Sequence, residues 1–269
     1  MRRRLPFALI LSTLLLFCIG CGRGSEHTVN VVGSTSVQPF ANELALAFNE
    51  RNAPIRVLVQ GGGTTAGLVA VDKNIADIGT CSRALAESET QLYHAIQIAR
   101  DGLAIVVNAS NPVTNLTTEQ IQQLFAGHIT NWNQLPGGFD HPVTLVTREE
   151  GSGTHDAFLT LVMGNSRTQL AARALVLQSN GAVREVVAND PGGVGYMSLG
   201  MAGEEVKSVR INGIEPCCEE VRNGHYPFCR PFLFVVKGTP KPDAQKFIDF
   251  VLSREGQDTL EREGLARIK

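Results

Sequence analysis

The chain has 269 residues, with 24 Lys and Arg against 26 Asp and Glu, for a net charge of −2. That near-neutral balance excludes the basic footprint with which nucleic-acid binders neutralise phosphates. Hydrophobic residues make up 43% of the chain, enough for one or two domains with a packed core.

The N-terminus reads as an export signal. Arg2, Arg3 and Arg4 precede an apolar run from Leu5 to Gly20, shorter and more lopsided than a membrane span. The run ends in Cys18-Ile19-Gly20-Cys21, which resembles the bacterial lipoprotein cleavage box, with Cys18 where that box usually has Leu. The expectation is a signal peptide at 1–20, lipidation at Cys21 and a lipid-anchored spacer over 21–27. Cleavage removes three arginines and no acids, leaving 249 residues with 21 bases against 26 acids, or −5.

From there strands and helices alternate. Thr28–Val32 reads as a strand, and Ser36 onward as a helix with Val37, Phe40, Leu44, Ala47 and Phe48 on one face. Ile55–Gln60 is a strand, Gly61-Gly62-Gly63 a turn, and a second helix starts at Thr64. Ala76–Thr80 is a short strand, and two apolar runs, Ala95–Ile98 and Leu103–Val107, flank Arg100-Asp101-Gly102. Further on, Thr117–Phe125 and Thr154–Met163 read as helices, and Val143–Thr147, Val194–Met197, Val206–Ile211 and Phe232–Val236 as strands. One final helix, with Pro at its start, spans Pro242 to about Glu263. The alternation predicts an α/β fold with helices on both sheet faces.

Four segments share one design, in which a strand ends and small hydroxyl or glycine residues lead into a helix. They are Gly33-Ser34-Thr35-Ser36, Gly61-Gly62-Gly63-Thr64-Thr65, Cys81-Ser82-Arg83, and Arg148 to Thr154. Each alone is explained by capping and turn formation. Four together, two with an arginine, point to an anion held beyond the carboxyl ends of the strands, where helix N-termini gather.

The last segment, Arg148-Glu149-Glu150-Gly151-Ser152-Gly153-Thr154, is the most specific. Arginine offers a planar fork of donors matched to oxyanions, yet carboxylates beside it should repel one. The combination makes sense for an oxyanion that carries its own proton, phosphate foremost.

Other chemistry fits poorly. Ser152, His155 and Asp156 lie too close in sequence to form a nucleophilic triad, and His155 reads as an exposed helix residue. Gly61–Thr65 lacks the lysine of a nucleotide-binding loop. Cys81, Cys217, Cys218 and Cys229 allow one or two disulfides in an exported chain. No spacing among Cys and His suggests a metal site.

The chain resembles the phosphate-binding subunit of bacterial ABC-type phosphate importers, of the shorter PstS-like kind. The blocks that carry the likeness are GSTSVQPFA from Gly33, QGGGTTAG from Gln60, ADIGTCSR from Ala76, DGLAIVVN from Asp101, ITNWNQL from Ile129, TREEGSGTHDAF from Thr147, GGVGYMS from Gly192 and NGHYPFCRPF from Asn223. They run in order along nearly the whole mature chain.

The resemblance implies a type II periplasmic-binding-protein-like fold, in which two lobes, each with a mixed central sheet flanked by helices, close on a ligand. Lobe one would comprise 28–107 and 225–269, and lobe two 108–224. Ligand contacts would come from Ser34, Thr35, Ser36, Thr64 and Ser82, with Arg83 nearby, and from Arg148, Glu150, Ser152, Gly153 and Thr154. Some relatives have a carboxylate where this chain has Ser82, so Glu150 is expected to accept the ligand's proton and to disfavour sulfate. The resemblance also implies two strands crossing at the hinge; the Cys217, Cys218 and Cys229 set is not general in the family, and a disulfide near the second of these strands is a further expectation.

The implied role is high-affinity phosphate binding outside the cytoplasm and delivery to an ABC importer, with no catalysis, cofactor or metal. The implied partners are phosphate, the permease subunits and, through Cys21, the membrane, with no nucleic acid and a monomeric protein. The location would be the periplasm or the outer face of the cytoplasmic membrane. The alternatives are a binding protein for another oxyanion, a phosphate sensor or adhesion protein without transport, and a secreted phosphatase-like enzyme.

Overall fold

The computed structural model describes residues 27–164 and 170–268. The export signal and Cys21 lie outside them. Strand β1 (His27–Gly33) leads to helix α1 (Gln38–Asn49), strand β2 (Ile55–Gly61) to α2 (Thr64–Asp72), and β3 (Ile78–Cys81) to the single turn α3 (Glu87–Thr90). β4 (His94–Asn108) follows, then β5 (Asn115–Leu116), α4 (Thr118–Phe125) and β6 (Thr144–Arg148). Next come α5 (Gly153–Leu161), β7 (Leu175–Leu177), α6 (Asn180–Asn189) and β8 (Gly193–Ser198). The chain closes with β9 (Val206–Ser208), β10 (Arg210–Ile211), α7 (Cys218–Asn223), β11 (Cys229–Val236), α8 (Pro242–Leu252) and α9 (Arg254–Arg262).

The main sheet runs β2-β1-β3-β11-β4-β8-β6-β7, with β9 also on β4. β1 pairs in parallel with β2 and β3, and β11 runs antiparallel to β3 and β4. β4 joins the two halves. Its first part, His94 to Gly102, pairs with β11, and Leu103 to Val107 pairs with β8. The side chains sort accordingly into two main cores. One gathers Val31, Phe40, Leu44, Phe48, Ile78, Phe232, Phe234 and Phe247. The other gathers Leu103, Ile105, Phe125, Trp132, Phe158, Val194 and Tyr196. Each half is a mixed sheet covered by helices, so the molecule has two lobes joined through the β4–β11 pair.

Several expectations need correction. The two apolar runs that flank Arg100-Asp101-Gly102 belong to one strand, β4, which continues through it. The helix expected over Pro242–Glu263 is two helices broken at Ser253. The Ser253 hydroxyl caps the second helix by accepting from Gly256 N at 3.3 Å. A Cβ on Gly256 would lie 2.3 Å from the Phe250 carbonyl oxygen, so this tight corner requires glycine. Val206–Ile211 splits into β9 and β10, which pair with different neighbours. Cys81, Cys217, Cys218 and Cys229 are free thiols, so neither the expected disulfides nor one at β11 is present among the described residues.

Candidate functional site

The N-terminal ends of α1, α2 and α5 meet where the lobes touch. Ser34 Oγ accepts from the backbone N–H groups of Ser36 (3.2 Å) and Val37 (3.4 Å), so this hydroxyl serves the turn into α1. Ser36, fully buried, bonds through Oγ to Thr154 Oγ1 across the cleft at 2.7 Å. Thr35 Oγ1 accepts from Arg148 Nη2 at 3.1 Å. Thr64 begins α2 and its Oγ1 accepts from Ser82 N at 3.3 Å. Ser152 N-caps α5 through His155 N at 3.4 Å, which leaves the α5 N-terminus facing the other lobe.

Gly153 packs tightly against the opposite lobe. A Cβ there would lie 2.3 Å from Thr64 Oγ1 and 2.7 Å from Ser82 Oγ. Thr65 N also donates to Gly151 O at 3.1 Å. The lobes are therefore closed on each other, and Thr35, Ser36, Thr64, Ser82, Arg148, Gly153 and Thr154 share one place.

Two buried polar groups there are unspent. Arg148 is only 2% exposed. Its Nε and Nη2 pair with the Glu149 carboxylate at 2.9 Å each, and reach Leu177 O (3.0 Å) and Gln178 O (3.2 Å). Among the described residues its Nη1 has no hydrogen-bond partner, and neither has Ser82 Oγ. Orphaned buried donors cost on the order of 1–3 kcal/mol each, which a ligand oxygen at this place would remove.

Three sequence expectations change here. The carboxylate beside Arg148 belongs to Glu149; Glu150 is exposed, because the turn at Gly151 aims it outward. Arg83 points away from the cluster. Its guanidinium pairs with Glu89 at 2.7 and 2.9 Å and with Asp156 of the opposite lobe at 2.8 Å. Hydrogen bonding to Glu89 raises its pKa, and the same bond lowers that of Glu89. His155 is half-buried rather than exposed, with Nδ1 2.9 Å from Tyr196 Oη. Burial lowers the His155 pKa and pushes the Tyr196 hydroxyl up to about 12. Ser152, His155 and Asp156 thus have separate partners and form no relay.

Sequence reasoning missed Asp101, Asn180, Ser198 and Arg230, all buried behind the site. Arg230 Nε donates to Asp101 Oδ2 at 2.9 Å, and its Nη1 donates to Thr154 Oγ1 at 2.8 Å and Ser82 O at 3.3 Å. Its Nη2 stands 2.9 Å from the same Asp101 oxygen but outside hydrogen-bond geometry. Burial pushes the Asp101 carboxyl up and the Arg230 guanidinium down, while each charge opposes the shift of the other. Because a guanidinium keeps its proton, the pair is ionic. The available signal was a charge inside each of two apolar strand patterns, which demands a buried partner.

Among the described residues, no group of three or more His, Cys, Asp or Glu is placed to hold a metal ion.

A family profile described as "PBP superfamily domain" matches residues 22–255. The chain is 28% identical to the phosphate-binding protein PstS of Borreliella burgdorferi over 281 aligned positions, covering 100% of both chains. It is 26% identical to PstS of Bacillus subtilis, covering 96% of this chain and 92% of that protein. Among solved structures, it is similar to a Clostridium perfringens protein provisionally described as a phosphate ABC transporter substrate-binding protein, with bound phosphate. That likeness has 35% identity and a TM-score of 0.86, covering 90% of this chain and 100% of the other. An ABC-type phosphate transport receptor from Vibrio cholerae shares 37% identity with a TM-score of 0.74, covering 88% and 99%.

Proposed function

The chain belongs to the PBP superfamily as a PstS-like member, and from that premise we propose that it binds inorganic phosphate outside the cytoplasm and delivers it to an ABC-type importer. The observation that carries this reading is the pair of unspent buried groups, Arg148 Nη1 and Ser82 Oγ, where three helix N-termini converge. The helix ends supply partial positive charge and free N–H groups, and the guanidinium supplies a full charge. Glu149 neutralises part of that charge and holds the fork in place. Ser82 Oγ, which both donates and accepts, suits a P–OH as well as a P–O⁻. Thr35, Ser36, Thr64, Gly153 and Thr154 complete the binding set, while Ser34 and Ser152 shape the turns that present it.

Binding and closure are one event in this reading. Contacts from Ser36 to Thr154, Thr35 to Arg148 and Arg83 to Asp156 join residues of opposite lobes. A ligand that bonds both sides favours the closed state, which a permease can recognise. We assign the segments 28–107 with 225–269 and 108–224 to the two moving bodies. The protein would act as a monomer without chemistry of its own, exported behind residues 1–20 and anchored by a lipid on Cys21.

The test is calorimetric titration of refolded, phosphate-stripped protein with phosphate, sulfate and molybdate. Micromolar or tighter phosphate binding, about 8 kcal/mol or more, is expected. Preferred binding of sulfate or molybdate would overturn the assignment of ligand.

A further inference from the structure

Six buried residues, through their side chains and the Ser198 backbone N–H, form a closed hydrogen-bonded circuit that spans both lobes and the hinge. Arg230 Nε donates to Asp101 Oδ2 at 2.9 Å, and Ser198 Oγ donates to Asp101 Oδ1 at 2.9 Å. Ser198 N donates to Asn180 Oδ1 at 3.1 Å, and Asn180 Nδ2 donates to Ser36 Oγ at 2.9 Å. Ser36 Oγ meets Thr154 Oγ1 at 2.7 Å, and Arg230 Nη1 closes the circuit on Thr154 Oγ1 at 2.8 Å. Every member is at most 3% exposed.

The direction of nearly every bond is dictated. A guanidinium only donates, and an ionised carboxylate only accepts. Ser198 N must donate, which fixes the Asn180 amide with its oxygen toward Ser198 and its NH₂ toward Ser36. Thr154 Oγ1 and Ser36 Oγ therefore each accept from a donor that cannot reverse. One freedom is left: either Ser36 donates to Thr154, or Thr154 donates to Ser36. In both cases one hydroxyl proton is spent between them, and the other has no acceptor inside the circuit.

We infer that Arg230, held by Asp101, and Asn180, held by Ser198, are positioning residues that force the Ser36–Thr154 pair to offer one proton to the bound anion. The pair is thereby an obligate donor toward an unprotonated oxygen, and the ligand's own proton is directed to the other side of the site. The circuit is complete only when the lobes are closed, since Ser36 and Thr154 belong to opposite ones. Arg230 also sits on β11 directly across from Asp101 on β4, the two strands that join the lobes. The hydrogen-bond donor pattern and lobe closure are thus fixed by the same residues.

The inference rests on the phosphate reading for its ligand but not for its geometry, and the two can fail separately. Calorimetry compares the parental protein, the double variant Arg230→Met/Asp101→Asn and the single variant Arg230→Lys. The double variant removes the donor without stranding a charge, and a charged-group hydrogen bond lost this way weakens phosphate binding by about tenfold or more. Lysine retains the charge but offers one nitrogen where the guanidinium uses two, so Arg230→Lys is expected to bind phosphate more tightly than the double variant and more weakly than the parent. Parental affinity in the double variant at unchanged Tm would overturn the proposal, as would Arg230→Lys binding no better than the double variant.

If the double variant does not fold, Asn180→Asp decides. It replaces the fixed donor by an acceptor that consumes the spare proton, so binding falls where the new carboxyl is ionised and recovers as it protonates. Unchanged binding by Asn180→Asp overturns the proposal. A parental protein that binds no phosphate sinks the ligand assignment only, and NMR then tests the circuit without ligand. A slowly exchanging Thr154 hydroxyl resonance, assigned by its loss in Thr154→Val and absent from Arg230→Met/Asp101→Asn, supports the circuit. Its absence in a parent that small-angle scattering shows to be closed refutes it.

Discussion

Replacing Gly153 by alanine separates closure from stability. In the closed form the new Cβ would stand 2.3 Å from Thr64 Oγ1, 2.7 Å from Ser82 Oγ and 3.1 Å from Thr64 Cβ. Ordinary carbon contacts begin near 3.5 Å, so the lobes must part by about 1 Å at this point. Overpacking of this kind costs about 1–3 kcal/mol, which corresponds to a loss of roughly 5- to 150-fold in affinity. The clash is between lobes and is absent when they open. Gly153 is the first residue of α5, where alanine fits the backbone and stabilises by about 0.4–1 kcal/mol through the unfolded chain. Gly153→Ala should therefore hold or raise the Tm of ligand-free protein while phosphate Kd rises. Calorimetry on stripped protein, thermal unfolding with and without phosphate, and small-angle scattering to follow closure test this together. Unchanged affinity, or a Tm that falls with the affinity, would refute the reasoning.

Three further outcomes are expected. Arg148→Ala removes the buried guanidinium and should lower phosphate affinity by at least about tenfold, measured by calorimetry; a smaller loss would place the anion elsewhere. Glu150→Gln should leave phosphate-over-sulfate selectivity in competition titrations within about twofold, because an exposed carboxylate is well solvated; collapse of selectivity would return Glu150 to the site. His155 has a folded pKa below its ordinary 6.5 because of burial. Between the two values the unfolded chain holds more protons, so its contribution to stability is complete above about pH 6.5 and shrinks as pH falls through that window. Denaturant titrations of the parent and His155→Gln should differ in slope with pH there, the parent losing more on acidification. Identical pH profiles would remove His155 as the cause.

Much of the site was legible before any coordinates because its signals are local. Gly-Ser-Thr-Ser after a strand, Gly-Gly-Gly-Thr before a helix and Ser-Gly-Thr after arginine each specify a turn, a cap and a helix start within a few residues. The α/β alternation was equally open to reading, since apolar spacing sets which face each element buries. The Arg100-Asp101-Gly102 stretch marks the limit of local reading. Two apolar runs flank it, and only the pairing of Asp101 with Arg230 across β4 and β11 shows that they form one strand.

Local pattern alone established the ingredients of an anion site: a guanidinium, clustered hydroxyls and helix starts that leave N–H groups free. It held no information on which of Glu149 and Glu150 turns toward Arg148, on Arg83 being drawn off by Glu89 and Asp156, or on the circuit through Asp101, Asn180, Ser198 and Arg230. The circuit depends on contacts between positions far apart along the chain, such as Ser36 with Thr154, Asp101 with Arg230 and Asn180 with Ser36, 118, 129 and 144 residues apart. A buried charge or amide takes whichever partner packing brings within reach. That partner exists only once two lobes, each built from its own core, have folded and shut.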